Sequence, residues 1–211
     1  MKQLGFVTII SLLIFVLMIP LAFLTGVTGF IPDLILFFAL TLFYYWTYDT
    51  LRMTLPIFTL LIIGHILHAC GIFGWYHISP VPIQWDHITH FFGTFPFALL
   101  FFRFAEQWKT KKWFTRKNLL LLIAVFIAAT GIGAVVEMSE FIGYLTLGFG
   151  DGGLQFGPGD GLPDQNIIDS IGGGWINTGW DFIYNTLGIL FGMIIMIIIL
   201  INKQQEVSSI L

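Results

Sequence analysis

A chain of 211 residues that is 57% hydrophobic, 17% aromatic and only 10% charged lies outside the range of soluble domains, in which about 25% of residues are charged. These proportions exclude a soluble globular protein and predict an integral membrane protein with one domain, residues 1–211. The net charge of −3, without a basic patch outside one short loop, also excludes a nucleic-acid-binding protein. A single cysteine, Cys70, excludes an intramolecular disulfide.

Six apolar segments are long enough to cross a membrane as α-helices. A hydrocarbon core of about 30 Å requires about 20 apolar residues per helix. The segments that meet this requirement are residues 4–24, 31–48, 54–75, 87–105, 118–144 and 178–201. The sequence therefore predicts an all-α fold, a polytopic bundle of six transmembrane helices. We expect the first segment to be a span, because its apolar run is longer than the roughly 7–15 residues of a signal peptide.

The basic residues predict the orientation of the bundle. Lysine and arginine concentrate in the cytoplasmic loops of membrane proteins. If the amino terminus is cytoplasmic, all nine basic residues fall on the cytoplasmic side. We therefore expect a multi-pass protein of the cell membrane with cytoplasmic amino and carboxyl termini.

The groups that can bind a metal or move a proton gather on the opposite side. In this orientation most of the 12 acidic residues and all five histidines fall in the outer half of the membrane or in the outer loops. Acidic residues do not determine topology. Their clustering therefore requires a local explanation.

One long connection, residues 145–177, joins the fifth and sixth predicted spans. It is rich in glycine and predicts successive tight turns, but it also contains several large apolar residues. Long loops inside compact domains are usually functional or disordered. We expect this extracytoplasmic loop to form a cap over the outer mouth of the bundle.

The most informative polar stretch, residues 85–90, opens the fourth span. Asp86 and His90 are four residues apart and would share one face of a helix, and His87 and His90 are three apart. Three polar side chains would then point into one small volume. In a chain this apolar, such a group requires a structural or chemical reason.

Two other spans carry polar residues that reach the same side. Glu137 and Glu140 share a face of the fifth span, and Asp181 and Asn185 share a face of the sixth. An unpaired charge at bilayer depth costs about 2.5–3.5 kcal/mol or more, so Glu137 should face the bundle and have a partner. Glu140 could instead end its helix in water, and Asp181 could complement a helix dipole. Below Asn185, the pattern Gly188-x-x-x-Gly192 predicts close helix packing.

Three interpretations of this polar set remain open. Carboxylates and imidazoles suit zinc, iron or manganese, and bundle-core metal sites are built from several helices in this way. The candidate metal ligands are Asp86, His87, His90, Glu137, Glu140 and Asp181. The same groups could work without metal as an acid/base pair, or could only lock the helices together. His65 and His68 in the third span are either hydrogen-bonded core histidines or part of this site.

The motifs resemble those of a known membrane family. Asp86-x-x-x-His90-Phe91, the intramembrane Glu137 and Asp181-x-x-x-Asn185-x-x-Gly188 are similar to the VanZ-like family, named for a teicoplanin-resistance protein. In that family an Asp-Lys-x-x-His-Phe-type motif and an Asp-x-x-x-Asn-x-x-Gly-type motif flank a helix carrying Glu. Residues 85–96 and 136–141 also resemble the YjdF-like inner-membrane proteins. The resemblance covers about residues 62–192. His87 replaces the usual basic residue, and the glycine-rich insert has no counterpart.

These observations predict an envelope protein that binds or acts on a membrane lipid or lipid-linked substrate at the outer leaflet. For an enzyme, the residues favour hydrolysis or transfer, either metal-assisted or by acid/base catalysis. The candidate catalytic residues are Asp86, His90, Glu137, Glu140, Asp181 and Asn185. The alternative is a non-catalytic membrane binding protein of the antibiotic-tolerance type, in which the polar cluster is a structural network.

Overall fold

The computed structural model describes residues 2–110, 115–147 and 167–210. Within these ranges the chain is helical and contains no β-strand. The α-helices are α1 (Lys2–Thr25), α2 (Ile31–Thr47), α3 (Leu55–Ala69), α4 (Trp85–Ala105), α5 (Arg116–Leu147) and α6 (Ile167–Ile210). A short 3₁₀ turn precedes α2, and similar turns extend α3 and α4.

Six of the described helical segments are long and apolar enough to cross a membrane. They are Lys2–Thr25, Thr28–Thr47, Leu55–Phe73, Trp85–Trp108, Arg116–Thr146 and Asn177–Lys203. The prediction of an all-α bundle with six spans is confirmed. Large apolar side chains such as Leu24, Trp46 and Leu120 are more than 60% exposed along these helices, as expected where lipid rather than water surrounds the protein.

The helices extend beyond the predicted spans. The last helix, α6, begins at Ile167, eleven residues before the predicted boundary at residue 178, and α5 continues to Leu147. Hydropathy detects only the part of a helix that lies in hydrocarbon. It does not detect the turns by which a helix continues into the polar interface. Of the predicted loop 145–177, both ends are therefore helical. The predicted cap over residues 145–177 stays a prediction, because its central part, residues 148–166, lies outside the described residues.

Local sequence signals explain where several helices begin and end. Pro32 and Pro56 occupy the first turns of α2 and α3, where a backbone N–H would lack an intrahelical partner in any case. Gly74 closes the 3₁₀ turn after α3 with φ of 75°, a left-handed conformation that glycine adopts without a steric penalty. Trp85 anchors the start of α4 to α3, because its indole N–H donates to the Leu67 carbonyl at 3.0 Å.

Helix α4 lies at the centre of the bundle. It packs most extensively against α6 and also contacts α3 and α5, while α1 packs against α2 and α3. The close approach of α6 depends on glycine: a Cβ at Gly192 would lie 2.8 Å from the Phe95 carbonyl oxygen of α4, and one at Gly188 would meet the Phe91 carbonyl. The close packing predicted for Gly188-x-x-x-Gly192 is confirmed.

The bundle has two chemically different ends. The described lysines and arginines lie at one end, here called the basic end. They begin α1 and α5, follow α2, lie in or just after the last turn of α4, and end the sixth span. The starts of α4 and of the sixth span lie at the other end, together with the last third of α5. We call this other end the cluster end, because it holds the polar residues described next.

Candidate functional site

The cluster is organised around His90, one turn into α4. Helix α4 begins at Trp85, so Asp86 and His90 both lie in its first two turns, and both side chains are buried. The Nε2 atom of His90 is 3.3 Å from Asp86 Oδ1. The predicted i,i+4 pairing is therefore present, with both groups turned into the bundle.

Helix α6 brings a second carboxylate to the same ring nitrogen. Asp181 is fully buried, and its Oδ1 atom is 3.6 Å from His90 Nε2. Its other oxygen, Oδ2, accepts a hydrogen bond of 2.7 Å from the Asn177 amide one turn earlier. Nε2 thus faces two carboxylates from two helices.

The other ring nitrogen of His90 faces α5 and α6. Asn185 Oδ1 is 3.3 Å from Nδ1, and Glu137 Oε1 is 3.6 Å from it. Asn185 Oδ1 is only an acceptor, so a neutral His90 ring that donates to it carries its proton on Nδ1 and keeps its lone pair on Nε2. A Cβ at Gly133 would lie 2.7 Å from the Asn185 amide nitrogen, so glycine at this position makes room for Asn185.

Several buried carboxylate oxygens in this cluster accept no hydrogen bond from the described part of the chain. They are Asp86 Oδ2, Asp181 Oδ1 and Glu137 Oε1. Buried polar atoms are normally paired, and a buried carboxylate requires a cation or a proton. A metal ion or shared protons would satisfy these oxygens, and the Asn185 amide nitrogen of the same cluster is also without a partner among the described residues.

Two overlapping groups have suitable spacing for a metal ion. The ligand atoms of Asp86, His90 and Asp181 lie within 4.8 Å of one another, and so do those of His90, Glu137 and Glu140. Four tetrahedral ligands at about 2.0–2.1 Å from zinc lie about 3.4 Å apart. The distances between the ligand atoms would therefore need to shorten by about 1 Å to surround an ion.

Of the candidate metal ligands, His87 lies apart from these groups. Its ring stacks on Tyr184 of α6, with ring centroids 4.2 Å apart and an interplanar angle of 10°. It is three residues from His90 and therefore on a neighbouring face of α4, but it belongs to neither group of possible ligands among the described residues. The structure places it beside the site, on the side formed by the aromatic residues of α6.

Some polar contacts of the site have no counterpart in the sequence reasoning. The Thr94 hydroxyl lies 3.0 Å from the His90 carbonyl and 2.9 Å from the Asn185 carbonyl, and so links α4 to α6. Asn177 was not predicted as a site residue, because it falls in the segment predicted as a loop, residues 145–177. The i,i+4 spacing of Asn177 and Asp181, and of His90 and Thr94, is the signal that could have identified both residues.

A second polar network lies on the opposite flank of α4. Asp33 Oδ1 is 3.7 Å from His68 Nε2, and His68 Nδ1 is 2.9 Å from the Tyr76 hydroxyl. Tyr76 donates to the Thr89 hydroxyl at 3.2 Å, and Thr89 donates to the Asp86 carbonyl at 2.7 Å. His68 is therefore connected to the first turn of α4 through hydrogen bonds.

His65 forms a different contact. It lies 3.2 Å from the Tyr44 hydroxyl and stacks on Phe37, with ring centroids 4.6 Å apart. These partners favour the interpretation of His65 as a hydrogen-bonded core histidine.

The comparison with known proteins identifies a family. A family model described as "Predicted membrane protein (DUF2238)" matches residues 4–202. The chain belongs to this family. No curated protein and no solved structure matches the chain. Membership in the DUF2238 family agrees with the six spans, and the match covers all of the polar residues of the cluster.

Proposed function

We propose that this DUF2238 protein binds a divalent metal ion, zinc, iron or manganese, at Asp86, His90 and Asp181, and acts on a lipid or lipid-linked substrate of the cell envelope by hydrolysis or transfer. The observation that carries this proposal is the buried cluster in which three carboxylates surround one imidazole and leave oxygens without hydrogen bonds. Three protein ligands with a fourth position open is the arrangement of catalytic zinc sites.

Each residue of the cluster has a role in this proposal. Asp86, Asp181 and His90 Nε2 supply the ligands. Asn185 accepts the Nδ1 proton of His90 and so holds the ring in the tautomer whose Nε2 lone pair faces the two aspartates. Asn177 fixes the orientation of Asp181 by donating to Oδ2, which leaves Oδ1 facing His90. A bound metal ion would polarise a substrate oxygen and lower the pKa of a coordinated water.

The position of the cluster supports a substrate from the outer leaflet. Glu137 lies 21 residues after Arg116, or about 32 Å along α5 at 1.5 Å per residue, which is close to the full thickness of a hydrocarbon core. With the basic end cytoplasmic, as the positive-inside rule predicts, the site lies at the outer boundary of the membrane. The resemblance to VanZ-like proteins favours an envelope substrate.

Metal content tests the proposal. We expect the detergent-purified protein to retain about one zinc, iron or manganese ion per chain, measured by inductively coupled plasma mass spectrometry. His90→Ala and Asp181→Asn should lose this ion, because each removes a ligand. Asp33→Asn is the matched control: Asp33 is as buried as Asp86 but lies outside the cluster, so this variant should retain the ion.

Loss of metal in the control as well as in the ligand variants would point to misfolding and not to a specific site. A native protein without metal would exclude metal-assisted chemistry as its function and would leave an acid/base mechanism or a structural role. A native protein with metal should next be assayed for release of phosphate or head group from lipid and lipid-linked phosphates.

One arrangement favours a second candidate, a non-catalytic binding protein whose cluster holds the helices together. Thr94 joins the backbones of α4 and α6, and Asn185 and Asp181 of α6 both contact His90 of α4. If this is the only role of the cluster, His90→Ala should lower the melting temperature by several degrees, because it leaves buried partners without a hydrogen bond. Function should then persist in any variant that remains folded.

A further inference from the structure

A second pair of acids lies on the far side of the His90 ring. One carboxylate oxygen of Glu137, one of Glu140 and one ring nitrogen of His90 lie within 4.8 Å of one another. Glu137 Oε1 is 3.6 Å from Nδ1, whereas Asp86 and Asp181 lie beside Nε2. The two groups therefore share His90 but have no carboxylate in common.

One carboxylate oxygen of Glu137, Oε1, has no hydrogen-bond donor among the described residues. Asn185 Oδ1 lies closer to His90 Nδ1 than Glu137 Oε1 does, at 3.3 Å against 3.6 Å. Glu137 Oε1 is buried and accepts no hydrogen bond from any described residue, and only 8% of the side chain is exposed. A buried carboxylate oxygen of this kind requires a cation or a proton.

We propose that Glu137 and Glu140 hold a second divalent cation of the Mg²⁺ or Mn²⁺ type, and that a phosphate group of the substrate completes its coordination. The inference rests on the proposed function, because it places this cation beside the first one. Mg²⁺ is commonly bound by one or two carboxylates together with waters and substrate phosphates. Two glutamates supply that number of ligands, and Glu140 is only partly buried, which leaves coordination positions accessible.

Charge balance also favours two cations. Asp86, Asp181, Glu137 and Glu140 together carry four negative charges when ionised, and a neutral His90 adds none. One divalent cation leaves two negative charges in the cluster, and two divalent cations leave none. Mg²⁺ and Mn²⁺ bind phosphate oxygens readily, which is why phosphate is the substrate group that the second position suits.

The number of Mn²⁺ ions bound at equilibrium tests this inference. The full chain, purified in detergent and in lipid nanodiscs and stripped of its retained metal with a chelator, is titrated with Mn²⁺ while the electron paramagnetic resonance signal of free Mn²⁺ is recorded. We expect two ions per native chain and one per Glu140→Gln chain. Glu140→Asp keeps a carboxylate and should bind the second ion more weakly, and the control Asp33→Asn should bind two.

Binding of phosphate to the second ion is tested separately. We expect inorganic phosphate, or phosphatidic acid in the nanodisc, to tighten binding of the second ion at least tenfold in the native protein and not in Glu140→Gln. Tightening by phosphatidic acid alone identifies a lipid phosphate as the ligand. Tightening by both identifies phosphate itself, whatever its carrier. No tightening by either overturns the phosphate assignment.

The outcomes also separate this inference from the proposed function. One Mn²⁺ per native chain, unchanged in Glu140→Gln, overturns the second position and leaves the first intact. No Mn²⁺ bound by the native chain overturns the second position, and the metal content of the purified protein then decides the first. Glu140→Gln should lose the second ion while its melting temperature equals that of the native protein, and Glu140→Asp should recover part of the binding. This result supports Glu140 as a ligand of the second ion.

Discussion

At the scale of single residues, His90 makes its contacts through both ring nitrogens. Asp86 and Asp181 flank Nε2, and Asn185 and Glu137 flank Nδ1, all at 3.3 to 3.6 Å. A neutral imidazole has one donor and one acceptor, so the neighbour that takes the proton decides which nitrogen can bind a metal. Asn185 is therefore the residue that determines the chemistry of His90.

Substitution of Asn185 tests this role. We expect Asn185→Ala to weaken metal binding about 10- to 100-fold, the usual effect of removing a hydrogen-bond partner of a metal-bound histidine. Asn185→Asp keeps an acceptor oxygen in the same place and should bind metal at least as tightly as the native protein. Competition with a fluorescent chelator gives the metal dissociation constants of both variants. Equal weakening in the two variants would show that Asn185 acts through packing and not through its oxygen.

At the scale of secondary-structure elements, the site depends on how closely α6 approaches α4. Asp181 and Asn185 reach His90 because Gly188 and Gly192 let the two backbones come together. A side chain at Gly192 would meet the Phe95 carbonyl at 2.8 Å, and a backbone atom cannot turn away as a flexible side chain can. The glycines thus help to position Asp181, which lies two to three turns before them in α6.

Gly192→Ala is expected to separate α4 from α6. Overpacking of this kind costs about 1–3 kcal/mol, so the melting temperature and the metal content should both fall. Gly131→Ala is the matched control, because a Cβ there meets nothing within 4 Å. Alanine in a helix interior is favoured over glycine by roughly 0.5–1 kcal/mol, so the control should be equal to or more stable than the native protein. A lower melting temperature and metal content in both variants would mean that the effect is not specific to the contact between α6 and α4.

At the scale of the whole molecule, the spans and the local pairs were predictable from the sequence. Hydropathy identifies each apolar helix, and the spacing of Asp86 and His90 places them on one face. The contact of His90 with Glu137 and Asp181 was only a hypothesis, because helical spacing does not say which faces of two separate helices meet. Asn177 was missed for another reason. The glycine-rich composition around it indicates a loop, whereas the structure continues the helix through it.

The orientation of the molecule stays a prediction, and labelling can test it. All nine basic residues fall at one end if the spans alternate, so the positive-inside rule places that end in the cytoplasm and the cluster outside. Gln107 at the basic end and Ile78 at the cluster end are both exposed. Single cysteines at these positions, in a Cys70→Ala background, can be treated with a membrane-impermeant thiol reagent in intact cells.

We expect Ile78→Cys to be labelled in intact cells and Gln107→Cys to be labelled only after the cells are permeabilised. The background variant without a cysteine should stay unlabelled in both conditions. The reverse pattern would place the cluster in the cytoplasm. The substrate would then have to come from the inner leaflet, and the charge distribution would be an exception to the positive-inside rule. The labelling experiment therefore decides which leaflet supplies the substrates for the phosphate-release assays.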